Sequence, residues 1–426
     1  MEKVLTKNIR SDREPLWLKD YEQAGGYAAL RKTLKDYSPD GLVDLIKDSG
    51  LRGRGGAGFS TGMKWGFMPR FEDKKDRPAH IYLVANADEM EPGTFKDRLL
   101  MEGDPHQFIE SLIISAYAIG ADIAYIFIRG EYVEAAKRLR RAIAEAEEAG
   151  FLGQNILRTE FDCKIILHTS AGRYICGEET ALLSALEGKR AVPRDKPPFP
   201  AVSGLFGQPT TVNNVETLCN VPHIVANGVA WYKDLGLSKD AGTKLFGASG
   251  RVKTPGCWEL PLGIPLGQLV EEYAGGMADG YGFKAVLPGG ASTPLLTEKH
   301  WDVPMDFEGV GAAGSRLGTG TMIVIDDQAS LVGAIRNLEH FFAQESCGWC
   351  TPCRDGLSWV EQILIDLEQG RGKAGDIELL QMHTKFLGPG KTFCAHAPGA
   401  MGPLESALKY FRDDFEALIP AAAKTA

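Results

Sequence analysis

The sequence predicts an α/β multi-domain protein whose last part is all helix. Strand-length apolar runs alternate with helix-length stretches as far as residue 238, and short runs punctuated by Gly and Pro follow. After Ala329 the pattern is helical almost to the end. Alternation of the first kind indicates an α/β layer with a mostly parallel sheet.

In chain order, residues 1–50 read as polar and helical, ending in SPDGLVDLIKDSG. A glycine-rich loop and a charged segment, 72–77, come next. IYLVANADE is a buried strand running out into an acidic loop, and DIAYIFIRGE and FDCKIILHTS are further strands. HQFIESLIISAYAIGA has helical length, and YVEAAKRLRRAIAEAEEAG alternates charge at helical spacing before Gly150 ends it as a C-cap. CGEETALLSALEG opens another helix. From about residue 240, KLFGASGRVKTPGCWELPLG, KAVLPGGAS and GTMIVIDD supply short strands and PLGQLVEEYAGG one short helix, a small α+β unit. LVGAIRNLEHFFAQES, LSWVEQILIDLEQG, GDIELLQMHTKFLG and GPLESALKYFRDDFEAL are four helices, which predicts a bundle. The expected divisions are 1–238, 239–327 and 328–426. No internal repeat occurs, and the tail IPAAAKTA is expected to fray.

Composition limits the function classes. Of the 426 residues 44 % are hydrophobic and 24 % charged, enough for a sizeable core and unlike a disordered chain. A net charge of −9 argues against a dedicated nucleic-acid binder, whose affinity comes from clustered Lys and Arg. MEKVLTKNIR lacks the apolar stretch of a secretory signal. The longest apolar run, 111–128, is broken by Gly120 and Asp122 and reads as a helix followed by a strand, since a membrane span needs about 20 apolar residues. A soluble cytoplasmic protein is expected. In a reducing compartment, clustered cysteines point to metal binding rather than disulfides.

Cys347-Gly-Trp-Cys350-Thr-Pro-Cys353 places three thiols at a spacing of three, able to wrap one face of a cubane cluster. Cys394, 41 residues on in KTFCAHAPG, offers the fourth corner. Thiolates are the usual ligands of a [4Fe–4S] cluster, whereas structural zinc more often takes two separated Cys pairs. Zinc and free thiols are the alternatives. Cys163, Cys176, Cys219 and Cys257 are scattered and read as small buried hydrophobes.

Gly53-Arg54-Gly55-Gly56-Ala57-Gly58-Phe59 formally matches GxGxxG. An ordinary dinucleotide fingerprint follows a strand, with an acid about 20 residues on. Here the preceding segment reads as helix, and the strand-end acids Asp88 and Glu89 lie about 30 residues on, so the fingerprint is not the ordinary one. Glycines still let backbone N–H groups converge on phosphate, and Arg54 and Lys64 add positive charge. A tight turn with close backbone packing is the alternative. The acidic loop from Asn86 to Glu91 follows a strand, where ligands of open α/β sheets bind. Gly177-Glu178-Glu179-Thr180 starts a helix, and acids there also complement its dipole. Val212-Asn213-Asn214 supplies amides, and Phe199 in PPFP either stacks on a base or caps the core. Two acidic loops and a glycine loop in one α/β domain favour a nucleotide site over solvated charge.

Taken together, LRGRGGAGFSTGMKW, NADEMEPGTFKDR, YICGEETALLSALEGKR, PTTVNNVETL, SGRVKTPG, ESCGWCTPCRDG and KTFCAHAPGA resemble the flavin- and NADH-binding subunits of respiratory complex I, the F subunits of NADH-quinone oxidoreductase. The match runs from about residue 51 to the end in order and spacing. The resemblance implies a Rossmann-like domain for FMN and NADH, a ubiquitin-like β-grasp domain, and a C-terminal four-helix bundle carrying one [4Fe–4S] cluster on Cys347, Cys350, Cys353 and Cys394. By position it also implies FMN contacts at Gly53, Arg54, Gly55, Gly56, Lys64, Asn86, Asp88, Glu89, Tyr174, Gly177, Glu178, Glu179, Val212, Asn213, Asn214, Thr217, Ala395 and His396. NADH contacts fall on Gly56, Ala57, Phe59, Lys64, Phe67, Glu91, Glu179 and Phe199.

The implied activity is NADH dehydrogenation: hydride transfer to FMN, then single electrons to the cluster, placed beside the flavin pocket, and on toward quinone. No catalytic dyad is needed, because such transfer rests on holding two rings at near-attack distance. The implied partners are a thioredoxin-like [2Fe–2S] subunit and the large iron–sulfur subunit of the peripheral arm, on the cytoplasmic face of the inner membrane. No nucleic acid and no membrane insertion are implied. The diaphorase subunit of an NAD-linked hydrogenase or formate dehydrogenase shares these motifs. A membrane ion-pumping oxidoreductase subunit shares the glycine loop but carries paired runs of four cysteines. A scaffold stabilised by a cluster or zinc is the non-enzymatic alternative.

Overall fold

The computed structural model describes residues 3–71 and 75–421. Half of the charged segment 72–77 and the last five residues of the tail lie outside them. Two compact units are present. The first takes in the chain to Met90, Phe95–Phe246 and Cys257–Ile264, and the second Glu91–Thr94, Gly247–Gly256 and the chain from Pro265 on.

The first unit is built on a four-stranded sheet of β1 (Tyr82–Ala87), β2 (Ile123–Ile128), β3 (Lys164–Thr169) and β4 (Thr210–Asn214), in the order β3-β2-β1-β4 and parallel throughout. Period-two side-chain alternation sends Leu83, Ala85, Ala124 and Ile126 into one core with helices Pro105–Ile119 and Val215–Asn227. Tyr82, Val84, Phe127 and Val212 go to the opposite face, against helix Glu179–Leu186. Both faces are covered, as an all-parallel sheet requires. The run 111–128 is a helix then a strand, as its Gly120 and Asp122 imply: Gly120 takes φ 73° as the helix C-cap.

The chain leaves β1 toward β2 and β3 on one side, then returns to place β4 on the other. The strand order therefore reverses between β1 and β4, and ligands of open α/β sheets sit beyond the strand carboxyl ends at such a switch point. Asn86 and Asn214 are register partners there, at the carboxyl ends of the two strands.

Two elements at this point are not among those expected from sequence. TTVNN carries two Asn, poor strand formers, yet it is β4 because it lies along β1. Helix Val215–Asn227 contains Pro222, and tertiary packing there overrides the tendency of proline to break a helix.

The second unit holds most of a mixed sheet of β5 (Thr243–Gly250), β6 (Gly256–Pro261), β7 (Phe283–Leu287) and β8 (Thr321–Asp326), order β6-β5-β8-β7. β5 runs parallel to β8 and β7 antiparallel to it. The texture change near residue 240 falls at the start of β5, and the two compact units divide within that strand at Gly247. Helices Leu331–Glu345, Thr351–Glu368, Asp376–Phe386 and His396–Tyr410 follow and pack on one another. The second begins six residues earlier than its apolar pattern indicates, because Pro352 sits in the first turn, where proline is tolerated. The last expected helix breaks at Phe411 (φ −137°) and resumes as Arg412–Glu416. Among the described residues, no helix is long and apolar enough to cross a membrane.

Candidate functional site

The glycine loop lies between helix Pro39–Asp48 and helix Thr61–Gly66, not after a strand, as its surroundings in sequence imply. It closes on itself: the Gly53 N–H donates to Phe59 O at 2.8 Å, and Arg52 Nε to Gly58 O at 2.8 Å. Three ties hold the loop and the helix after it to the end of β4 and to the helix that follows β4. The Arg54 N–H donates to Thr217 Oγ1 at 2.8 Å, Trp65 Nε1 donates to Asn213 Oδ1 at 2.9 Å, and Gly55 packs on Asn214 so closely that a Cβ there would lie 2.9 Å from the Asn214 Cβ. Gly56 takes φ +127°, a conformation that L side chains rarely adopt, and faces open space.

Arg54 does not lend its charge to the loop. Its guanidinium is fully buried and donates to Tyr232 Oη, Ala241 O and Arg52 O. The positive group at the site is Lys64, whose Nζ lies 2.7 Å from Glu179 Oε2. Lys196, which sequence reasoning missed, sets its Nζ 3.1 Å from both Glu178 Oε1 and Glu179 Oε1. Burial works to raise the Glu179 carboxyl, but Lys64 and then Lys196 outweigh it and hold the group below its ordinary range. Only the repeated acid–base pattern around residues 178–196 hinted at Lys196.

The acids differ in what they do. Glu178 Oε2 accepts from the Thr180 and Ala181 N–H groups and caps helix Glu179–Leu186. Glu89 is committed too: its carboxylate accepts from the N–H groups of Lys96, Asp97 and Arg98 and from Tyr132 Oη, so its side chain caps helix Lys96–Gly103 rather than pointing outward. Asp88 Oδ1 accepts from Ser170 Oγ at 3.1 Å, and Asn86 Nδ2 donates to Cys176 O at 3.2 Å. Tyr174 and Gly177 form the turn ahead of helix Glu179–Leu186, and Gly177 is exposed with open space where a Cβ would stand. Thr217 and Val212 are buried.

Large apolar side chains normally bury, yet Phe59, Met63, Phe67 and Phe199 are each about half exposed, at 50, 47, 57 and 58 %. Phe59 and Phe67 stand 6.2 Å apart between ring centroids, flanking Lys64 in sequence. Phe199 therefore does not cap the core. Beside the switch point the first unit thus offers a glycine cradle, amide-bearing strand ends, an ammonium–carboxylate cluster and uncommitted aromatic faces. These are the parts for a phosphate, a polar ring edge and a base.

In the second unit, Glu91 Oε1 accepts from the Ser292 N–H at 2.7 Å. Cys347 and Cys350 lie in the loop before helix Thr351–Glu368, Cys353 in its first turn, and Cys394 two residues before helix His396–Tyr410. Burial, with Cys350, Cys394 and Cys347 adding to it, pushes the Cys353 thiol up to about 12. Among the described residues no three such donors close to the reach of a single metal ion. Ser346 Oγ lies 3.3 Å from Cys353 Sγ. His396 is buried, its Nε2 2.8 Å from Phe342 O, and ties the start of its helix to helix Leu331–Glu345; Ala395 is exposed. Cys163, Cys176 and Cys219 are buried as expected, whereas Cys257 is only half-buried.

Residues 46–223 match the Nuo51 FMN-binding domain, residues 248–295 the SLBB domain, and residues 333–418 the NADH-ubiquinone oxidoreductase-F iron-sulfur binding region, which encloses all four clustered cysteines. The chain is 62 % identical over 413 residues to the NADH-quinone oxidoreductase F subunit of Escherichia coli (strain K12), covering 97 % of this chain and 92 % of that one. It belongs to the family of NADH-quinone oxidoreductase F subunits. The F 2 subunit of Rhizobium meliloti (strain 1021) is 54 % identical over 418 residues, 98 % of each chain. Among solved structures, a chain of an NAD+-reducing NiFe hydrogenase in the H2-reduced state superposes with a TM-score of 0.83 at 34 % identity, covering 99 % of this chain and 67 % of that one.

Proposed function

We propose that this chain is the electron-input subunit of an NADH:quinone oxidoreductase, oxidising NADH at FMN and passing electrons singly through a [4Fe–4S] cluster to partner subunits toward quinone. The observation that carries the reading is the glycine loop fastened at the switch point, Gly55 on Asn214 at the end of β4 and the Arg54 N–H on Thr217 in the helix after it, with exposed aromatic rings beside it. When bound, FMN supplies a hydride acceptor that can release electrons one at a time, and the cluster a one-electron acceptor.

The residues fit those groups. Gly53, Gly55 and Gly56 supply a side-chain-free backbone for the flavin phosphate, and a Cβ at Gly55 would push against Asn214. Asn86, Asn213 and Asn214 bring amides to the strand ends, and Lys64 and Glu179 bring a donor and an acceptor locked on one another. Phe59, Phe67 and Phe199 offer faces on which the adenine and nicotinamide of NADH can stack. Their task is orientation: they hold donor and acceptor rings in register and keep water from between them. Cys347, Cys350, Cys353 and Cys394 supply four thiolates, the donor set of a cubane.

Finer readings extend the proposal. The 239–327 region is a ubiquitin-like β-grasp domain and 328–426 a four-helix cluster-bearing bundle. The partners are a thioredoxin-like [2Fe–2S] subunit and the large iron–sulfur subunit of the peripheral arm, at the cytoplasmic face of the inner membrane. Identity favours this assembly over a hydrogenase diaphorase: 62 % to the Escherichia coli chain against 34 % to the hydrogenase chain. The test is the purified chain with its nearest partner. NADH-dependent ferricyanide reduction and release of FMN on denaturation are expected, and a cluster-loaded sample with neither overturns the reading.

A further inference from the structure

Behind the glycine loop lies a set of charges that the proposed reaction does not use. Lys96, Asp97, Glu216 and Lys244 are 1, 3, 0 and 0 % exposed. Lys96 Nζ lies 2.7 Å from both Asp97 Oδ1 and Glu216 Oε2, and Lys244 Nζ 2.7 Å from Glu216 Oε2. The Glu216 N–H donates to Asp97 Oδ1 at 3.2 Å, and the Leu245 N–H to Glu216 Oε1 at 2.8 Å. Burying four charges is costly, and apolar residues of similar volume commonly serve stability as well or better. Stability alone therefore does not explain the network.

Its outlet does. Asn214 Nδ2 donates to Asp97 Oδ2 at 2.6 Å, while Asn214 Oδ1 accepts from the Thr217 N–H at 3.4 Å and faces Lys96 Nζ at 3.5 Å. An amide can present either end to a neighbour, and here carboxylate and ammonium together admit one orientation. The Asn214 Cβ is the surface on which Gly55 rests, and Thr217, one residue after Glu216, takes the Arg54 N–H. One turn of chain thus carries the charges on its inner side and the glycine loop on its outer side.

We infer that Asp97 is a positioning residue for the flavin site: it fixes the Asn214 amide and, through Asn214, the height of the glycine loop. The inference rests on the proposed FMN reading. Asp97 touches no cofactor. It acts as a carboxylate behind a ligating group acts, by restricting how that group is presented.

The experiment is a double-mutant comparison on the holoenzyme, read as FMN fluorescence appearing on dilution together with the melting temperature. Asp97→Asn is expected to weaken FMN retention ~10-fold, as for loss of a buried charge-assisted hydrogen bond. In an Asn214→Ala background the same change is expected to add nothing, because the path runs through Asn214. Equal weakening in both backgrounds makes the network merely structural and overturns the inference, as does unchanged retention in Asp97→Asn alone. If Asp97→Asn does not accumulate, the paired change Lys96→Met with Asp97→Asn leaves neither charge unpaired and enters the same comparison. A wild-type holoenzyme that releases no FMN even on denaturation sinks the flavin reading itself. One that releases FMN while the variant behaves identically sinks only this inference.

Discussion

Lys64 and Glu179 meet at 2.7 Å across 115 residues of sequence, the Lys64 ammonium on Glu179 Oε2, while Lys196 holds the other oxygen at 3.1 Å. The carboxylate is thus fixed between two cations beside the exposed rings of Phe59, Phe67 and Phe199.

Glu179→Gln keeps the shape and removes the charge. NADH KM is expected to rise ~5-fold, corresponding to about 1 kcal/mol for a partly exposed ion pair, with iron content unchanged. The folded carboxyl lies below its ordinary value of 4.5, so its contribution is present above that pH and is lost only as pH falls through the depressed folded value. Wild-type KM should therefore begin to rise at a lower pH than protonation of an ordinary carboxylate would give. Steady-state kinetics over that range, with iron assayed in parallel, checks both points, and equal loss of turnover and iron would make Glu179 structural.

Phe67→Ala removes a ring that the fold leaves 57 % exposed. Little stability is at stake, within about 0.5 kcal/mol for an exposed position. A loss of about 1 kcal/mol of stacking is expected, seen as a ~5-fold rise in NADH KM with FMN retention unchanged. An unchanged KM would remove Phe67 from the NADH site.

Gly55→Ala puts a Cβ 2.9 Å from that of Asn214. Neither backbone gives way easily, so the loop must lift from β4. FMN retention should fall by ~10-fold or more while the melting temperature moves little, since overpacking costs typically about 1–3 kcal/mol and here falls on a surface loop. Released-flavin fluorescence and a thermal melt separate the two effects.

His223 gives a pH signature of stability. Burial, and after it Lys7, pushes its imidazole down to about 3, and Nε2 lies 2.6 Å from Gln107 Oε1. A depressed histidine means that below its ordinary value of 6.5 the unfolded chain binds a proton that the folded chain refuses. Stability is lost as pH falls from 6.5 toward 3. His223→Gln should therefore show a smaller drop in melting temperature between pH 7 and pH 5 than wild type. An identical drop would mean that His223 titrates freely when folded.

Much of the fold and part of the site was legible in the sequence, for physical reasons that also mark where legibility ends. The run 111–128 declares a helix and a strand because Gly120 and Asp122 interrupt it, and Cys347, Cys350 and Cys353 declare themselves by spacing. β4 did not, because TTVNN is made a strand by pairing with β1, not by propensity. Nor could the sequence tell that the Arg54 guanidinium turns inward while Lys64 stays at the site, since both are simply cations near glycines. Glu89 and Glu178 read as ligand-facing acids, whereas both cap helix N-termini with their side chains. The Lys96, Asp97, Glu216 and Lys244 network joins residues up to 148 positions apart, which local pattern cannot anticipate.

The most direct test of the account is the EPR spectrum after anaerobic addition of NADH, recorded on the wild-type complex and on Cys394→Ala alongside flavin absorbance. In wild type NADH should bleach the flavin and develop the reduced [4Fe–4S] signal; in Cys394→Ala the flavin should still bleach while that signal is absent. A wild-type flavin that NADH does not bleach, or a full [4Fe–4S] signal in the variant, contradicts it.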